Sequence, residues 1–499
     1  MPDQAPLRAP IPASPPAARR RLVTAAVLIG MFMAAVESSI VAPAMPTIVA
    51  TLGGFQLFTW VFSSYLLAQA VTIPIYGRLA DVHGRKRVFC ISTVIFLLGS
   101  TLCGFAQSME ALIGFRLLQG IGAGAIVPIG STIVADIYSP ADRARLQGYL
   151  SSVWGIAAII GPVLGAFIVL HLSWALIFWI NLPVGALAIA LLAVFFRERA
   201  HAKRRSIDYG GAALLVLGSG ALMMALIQAH ELSPAAFGGL LVVAALGIAA
   251  LIRHELSAAE PMLRLDLWKN RTIAIGNVGS TVIGAIMMGI TAFLPAYVQG
   301  AMGRSPVVAG FALTAMSIGW SSASTLGGQV MLRTSYRTTA LLGGVSLVLG
   351  NGVMILLQPG SGPVVAGIGA LLIGMGMGFC STTFMVSIQS AVGWAERGTA
   401  TSAMLFMRFV GQSIGVALFA AVFNYALFGA GSTGGDVVNR LMEPSQRQSL
   451  DPDTIARLTA EIAGALHAVY LIGIVLAALA LAITAALPRG HSPHAELDQ

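Results

Sequence analysis

The chain has 499 residues, 57% hydrophobic and only 10% charged, with a mean hydropathy of +0.84. Soluble domains carry roughly 25% charged residues, so there is too little charge here to cover a water-facing surface. The formal charge of +9 is spread as short basic clusters between apolar runs; this excludes a basic nucleic-acid-binding domain and follows the positive-inside pattern of membrane proteins.

The opening stretch, rich in Pro and Ala, reads as a disordered cytoplasmic N-terminus over 1–20. Arg19, Arg20 and Arg21 then lead into the first apolar run, which is longer than the apolar core of a cleavable signal peptide. A crossing helix needs about 20 mostly apolar residues. Windows of that size fall at 22–44, 57–76, 88–107, 110–135, 146–169, 174–196, 209–229, 236–252, 272–298, 307–330, 338–357, 363–388, 399–427 and 463–487. The runs do not alternate as barrel strands do. The fold class expected is therefore an all-α polytopic membrane protein with fourteen transmembrane helices.

Most of the 29 Lys and Arg fall in every second connection. This places both termini in the cytoplasm and the protein as a multi-pass chain in the inner (cytoplasmic) membrane. A faint repeat supports two halves: YGRLADVHGRKR (76–87) and GGQVMLRTSYRT (327–338) both put Gly at a span end ahead of a short basic loop. Residues 21–200 form an N-terminal six-helix half, 201–258 a linker with two inserted helices, and 259–488 a C-terminal six-helix half. A long extracytoplasmic loop occupies 428–462, and 489–499 is a cytoplasmic tail. Two such halves are the build of many secondary transporters.

Charge inside the spans is scarce. Glu37 is the one clearly intramembrane acid; Asp136 lies at a span end. Rising about 1.5 Å per residue, Glu37 lies on the order of 22 Å from Leu22, past the midplane of a roughly 30 Å hydrocarbon core. Small neighbours, Ala34, Ala35, Ser38 and Ser39, leave room for water or substrate, and Pro43 and Pro46 are expected to end or bend the helix. A carboxylate in such a setting can bind and release a proton. Arg116, in RLLQGIGAGAIVP (116–128), needs an acid, carbonyls or water nearby, because a guanidinium keeps its proton. Intramembrane charges are functional candidates by default. The series Gly120, Gly122 and Gly124 allows close helix approach.

Gly77, Asp81, Gly84 and Arg85 stand in GRLADVHGRKRV (77–88), an acid among bases with glycines for close contact and a tight turn. This string resembles the loop signature of the major facilitator superfamily. The resemblance implies that Asp81 contacts a helix N-terminus and that Asp81, Arg85 and the glycines latch one state of an alternating-access cycle. The Arg116 segment also resembles a superfamily motif, whose Arg is associated with proton transfer. GIAAIIGPVLGAFI (155–168), with Gly161, Pro162 and Gly165, is similar to the fifth-helix motif of the superfamily's antiporters. With MRFVGQSIGVALF (407–419), where Arg408 matches an Arg of the family, the whole looks like the drug:proton antiporters with fourteen spans, the EmrB/QacA type.

The resemblance implies a major facilitator fold and a proton-coupled antiporter that exports amphipathic cationic or neutral drugs. A dedicated exporter of one metabolite, such as a siderophore, antibiotic or amino acid, is the alternative. Glu37 and Arg116 are the expected coupling residues and Arg408 a second-half polar site. The partners are a drug-like small molecule, protons and the lipid bilayer; a periplasmic adaptor protein is left open, and nucleic acid is excluded. No H-E-x-x-H or Walker string occurs, so neither enzyme nor ATP-driven pump is expected. Cys90, Cys103 and Cys380 are isolated in apolar runs and the eight His are scattered, so neither metal nor cofactor is expected.

Overall fold

The computed structural model describes residues 17–53, 57–198, 208–227, 232–258, 264–304, 306–428 and 452–488. Its helices fall into two groups with a pair between them. The first group is α1 (Ala17–Leu52), α2 (Phe58–His83), α3 (Arg85–Gly104), α4 (Met109–Ile137), α5 (Pro140–His171), the short α6 (Leu176–Trp179) and α7 (Asn181–Phe195). The pair is α8 (Tyr209–Ile227) and α9 (Pro234–Ser257). The second group is α10 (Arg271–Ala296), α11 (Pro306–Arg333), α12 (Tyr336–Ile355), α13 (Pro363–Ser390), α14 (Arg397–Phe428) and α15 (Pro452–Ala485).

Among the described residues, 11 helices are long and apolar enough to cross a membrane, against the fourteen spans expected. The three remaining long helices are α2, α5 and α11. These lie where the groups meet: α5 packs on α11, and α2 on α14. A helix facing its counterpart half rather than lipid carries more polar and small residues, as the Ser317, Ser321, Ser322 and Ser324 series of α11 illustrates. Each group has its own buried apolar core, one over α1–α7 and one over α10–α15 that also takes in a face of α2 and part of α8 and α9. The α8–α9 pair crosses at Gly218 and Gly247, and α8 rests on α2 and α14.

Three local expectations are corrected. Pro43 and Pro46 do not end α1, which runs helically to Leu52. A proline forfeits one backbone hydrogen bond, and the packing of α1 on α4, α5 and α7 outweighs that loss. The segment 174–196 is not one uninterrupted helix: α6 and α7 meet at Ile180, just before Asn181 and Pro183. Finally, α15 starts at Pro452, inside the stretch read as loop; Pro in the first turn followed by Asp453 is a helix-start signal. The rest of that loop, 429–451, lies outside the described residues, as do 1–16, the basic residues 199–205 and the tail 489–499.

Candidate functional site: a buried ion pair and a charged latch

Glycines set the distances in the first group. A Cβ on Gly120 would meet the carbonyl of Tyr65, and one on Gly124 would strike Thr72, so this face of α4 lies against α2. Gly122 faces the backbone of Phe96 on α3, and Gly99 of α3 faces Gln119. These approaches draw α2, α3 and α4 around Arg116.

Arg116 is 1% exposed and Glu37 0%. The Arg116 guanidinium donates to Glu37 Oε1, to Gln119 Oε1 at 2.7 Å and, through Nε, to the carbonyl of Val61 at 3.2 Å. Its plane stands 4.2 Å from the centre of the Tyr65 ring, a cation–π contact in a dry site. The second carboxylate oxygen accepts from Asn181 Nδ2 at 2.6 Å. Asn181 also donates to Ser100 Oγ at 3.0 Å, which accepts from Gln119 Nε2 at 3.1 Å and donates to the carbonyl of Phe178 at 2.7 Å. Six helices, α1 to α4, α6 and α7, thus converge on one closed, internally neutral network. In this conformation the Glu37 carboxylate is sealed by Arg116 and Asn181 and has no open space beside it, contrary to the cavity-facing position expected from its small neighbours.

Just past Glu37, α1 meets α5. A Cβ on Gly161 would strike Ser39, and one on Gly165 would meet the Ile40 carbonyl; Ser39 Oγ donates to the Ala157 carbonyl at 3.2 Å. Pro162 lies in the same helix, outside the side chains described. The other face of α5 meets α11 through Gly148 against Thr325 and Gly155 against Ser321. Gly161 and Gly165 therefore place the Glu37 helix against the helix that borders the second group. Gly165→Val is expected to push α5 off α1 and to slow vesicle transport more than tenfold, roughly the effect of misplacing a site by an ångström. Monodisperse elution of the variant would separate this from misfolding.

A second cluster joins the two groups at the end of the bundle where α2 hands over to α3. Asp81 accepts from the backbone N–H of Gly398 (3.2 Å) and Thr399 (2.8 Å) and from the Thr399 hydroxyl (2.8 Å). It caps the first turn of α14, whose free N–H groups and dipole favour an anion. Gly77, one turn earlier, lies against Ser402 and the Gly398 carbonyl, where a side chain would hold α2 and α14 apart. Arg85, fully buried, reaches Asp81 at 3.3 Å, Asp136 at 3.0 Å and the Trp394 carbonyl at 2.7 Å, and stacks 3.8 Å from the centre of the Trp394 ring. Arg397 approaches Asp136 at 3.6 Å and donates to the Ala135 carbonyl at 3.0 Å. Gly84 has φ +93°, open to glycine, and Glu198 occupies the space a Cβ there would need. Glu198 caps α3 by accepting from the backbone N–H of Arg85 (2.5 Å) and Lys86 (3.2 Å).

Arg408 stands apart from both clusters, on α14 beside α10, where Gly284 lies against its carbonyl. GQSIG (411–415) in the same helix has the spacing of a nucleophile elbow, G-x-S-x-G, which belongs on a sharp strand-to-helix turn. Here it is mid-helix. Gly411 and Gly415 face Thr281 and Ala285 of α10, and Ser413 Oγ donates to the Phe409 carbonyl at 3.1 Å.

Sequence reasoning missed Asn181, Gln119, Ser100, Glu198, Trp394 and Thr399. Gln119 carried a signal, since a residue three after Arg116 shares its helix face. Glu198 is an acid inside a basic string. Asn181 and Ser100 are uncharged and gave none.

Two helical groups, each with its own core and joined at one end by a cluster of buried charges, define an all-helical polytopic membrane fold of the transporter kind. The chain belongs to the Major Facilitator Superfamily, whose family model matches residues 27–416; it is a multi-pass membrane protein of that type. It is 33% identical to "Multidrug resistance protein 3" of Bacillus subtilis (strain 168), over 93% of this chain and 94% of the relative. It is 34% identical to "Multidrug transporter protein MdtP" of the same organism, over 81% of this chain and 76% of that one. The crystal structure of the human organic anion transporter MFSD10 superposes with a TM-score of 0.62, covering 93% of this chain and 100% of that one; at 15% identity this similarity concerns the fold alone.

Proposed function

We propose that this protein is a proton-coupled antiporter that exports amphipathic drugs or toxic compounds across the cytoplasmic membrane, with Glu37 and Arg116 as the coupling pair. In this reading α8 and α9 are an inserted hairpin between two six-helix halves, giving fourteen spans with both termini cytoplasmic. The named functions of the B. subtilis relatives support export.

The observation that carries the coupling is the closed network around Glu37. Ionised, the carboxylate balances Arg116 and binds α1 to α4 and α7. A proton on Glu37 cancels its charge and leaves the Arg116 guanidinium uncompensated in a dry site, which costs several kcal/mol. That cost favours a rearrangement in which Arg116 reaches water, and the pair re-forms when the proton leaves. The latch at Asp81, Arg85 and Asp136 holds the two halves together at one end and is broken in the opposite state of the cycle.

Glu37→Gln tests this. The amide keeps the shape and removes the titration. Uptake of a fluorescent amphiphile into everted vesicles is expected to lose its dependence on an imposed proton gradient, while dye binding persists. Wild-type rates with an unchanged proton dependence would refute the assignment.

A further inference from the structure

Between Arg271 and Phe428, which span α10 to α14, the only carboxylate in the sequence is Glu396. It is engaged with Arg264 at 3.0 Å, at the margin of the bundle. In the first group Glu37, Asp81 and Asp136 are each held by Arg116, Arg85 or Arg397. Arg408 therefore has no acid to pair with on α10 to α14, and among the described residues no ion pair joins it to Asp453 or Glu461 of α15. Its Nε is buried without a hydrogen-bond acceptor, while the residue as a whole is only partly buried.

The surroundings add donors, not acceptors of charge. Asn277 lies two turns before Gly284 on the α10 stripe that faces α14, and both ends of its buried amide are without partners. Gln412, one turn beyond Arg408, has only the Met287 sulfur at 4.0 Å for its Nε2. A guanidinium cannot escape by deprotonation, and a desolvated charge without a counterion costs several kcal/mol. Planar oxyanions match its fork of donors with two parallel hydrogen bonds.

We propose that Arg408, with Asn277 and Gln412 beside it, forms an anion subsite that selects amphiphiles carrying a carboxylate or similar oxyanion and disfavours cationic ones. This rests on the exporter reading above and revises the expectation of cationic or neutral drugs. With Glu37 and Arg116 cancelling each other, Arg408 leaves the interior net positive, which attracts an anionic head group and repels an ammonium.

The test uses a matched pair of probes: a dansyl-labelled alkyl chain ending in a carboxylate, and the same chain ending in trimethylammonium. In proteoliposomes under a proton gradient the wild type is expected to export the carboxylate probe faster. Arg408→Gln should lose that flux by about tenfold or more, equivalent to about 1.4 kcal/mol, and Arg408→Lys should keep part of it. Flux of the trimethylammonium probe should hold or rise. In detergent the carboxylate probe should raise the unfolding temperature of the wild type but not of Arg408→Gln. If Arg408→Gln leaves carboxylate flux unchanged, lowers both probes equally, or if the wild type exports only the ammonium probe, the subsite is refuted while export stands. If the carboxylate probe stabilises only the wild type yet neither probe moves, the exporter reading fails and the subsite stands. Equal stabilisation by sodium chloride alone would reduce the site to a counterion position and overturn the selectivity.

Discussion

Glu37→Ala is expected to destabilise the protein by about 3–5 kcal/mol, the usual cost of breaking a buried ion pair. The substitution leaves Arg116, 1% exposed, with Gln119, the Val61 carbonyl and the Tyr65 ring but no counterion. Arg116→Ala is expected to be the milder of the two. A stranded carboxylate can discharge by taking a proton, whereas a stranded guanidinium cannot. Glu37→Ala combined with Arg116→Ala should cost less than the two single losses summed, because neither charge is then left stranded. Thermal unfolding of the four proteins in detergent completes a double-mutant cycle. A coupling energy near zero would mean that the ion pair does not act as a unit.

Asp81→Ala should open the latch. It removes the acceptor for two N–H groups and a hydroxyl at the start of α14 and one of the two acids that hold Arg85. A loss of about 2 kcal/mol shifts a two-state equilibrium by up to roughly thirtyfold. Thr401, fully buried one turn inside α14, is a suitable reporter. With Cys90, Cys103 and Cys380 replaced by Ala, Thr401→Cys should resist maleimide with Asp81 intact and react in the Asp81→Ala background. Slow labelling in both backgrounds would show that Asp81 does not govern closure at this end.

The sequence made individual charges legible and left their partners hidden. Glu37 and Arg116 were conspicuous because an ionised group among apolar residues is rare. Which groups surround them depends on how α1, α3, α4 and α7 pack, and Asn181 and Ser100 carry no charge to betray their place. At the latch, Asp81 and Arg85 could be read from one contiguous string, whereas Asp136, Glu198, Trp394 and Thr399 come from distant segments. Helix positions were readable from apolar runs, but their ends were not: α1 passes through two prolines, and α15 begins in a stretch too polar to count as a span. The windows at 57–76, 146–169 and 307–330 found α2, α5 and α11 but not the faces that they turn to the other group, which a window along one chain does not see.

In the proposed mechanism drug leaves in exchange for protons. Purified protein in liposomes loaded with a pH-sensitive dye, given a drug gradient and no initial pH difference, tests it directly. Drug movement is expected to drive protons the opposite way, with the pH change abolished by Glu37→Gln. Drug flux with no accompanying proton movement would contradict antiport and reduce the protein to a facilitator.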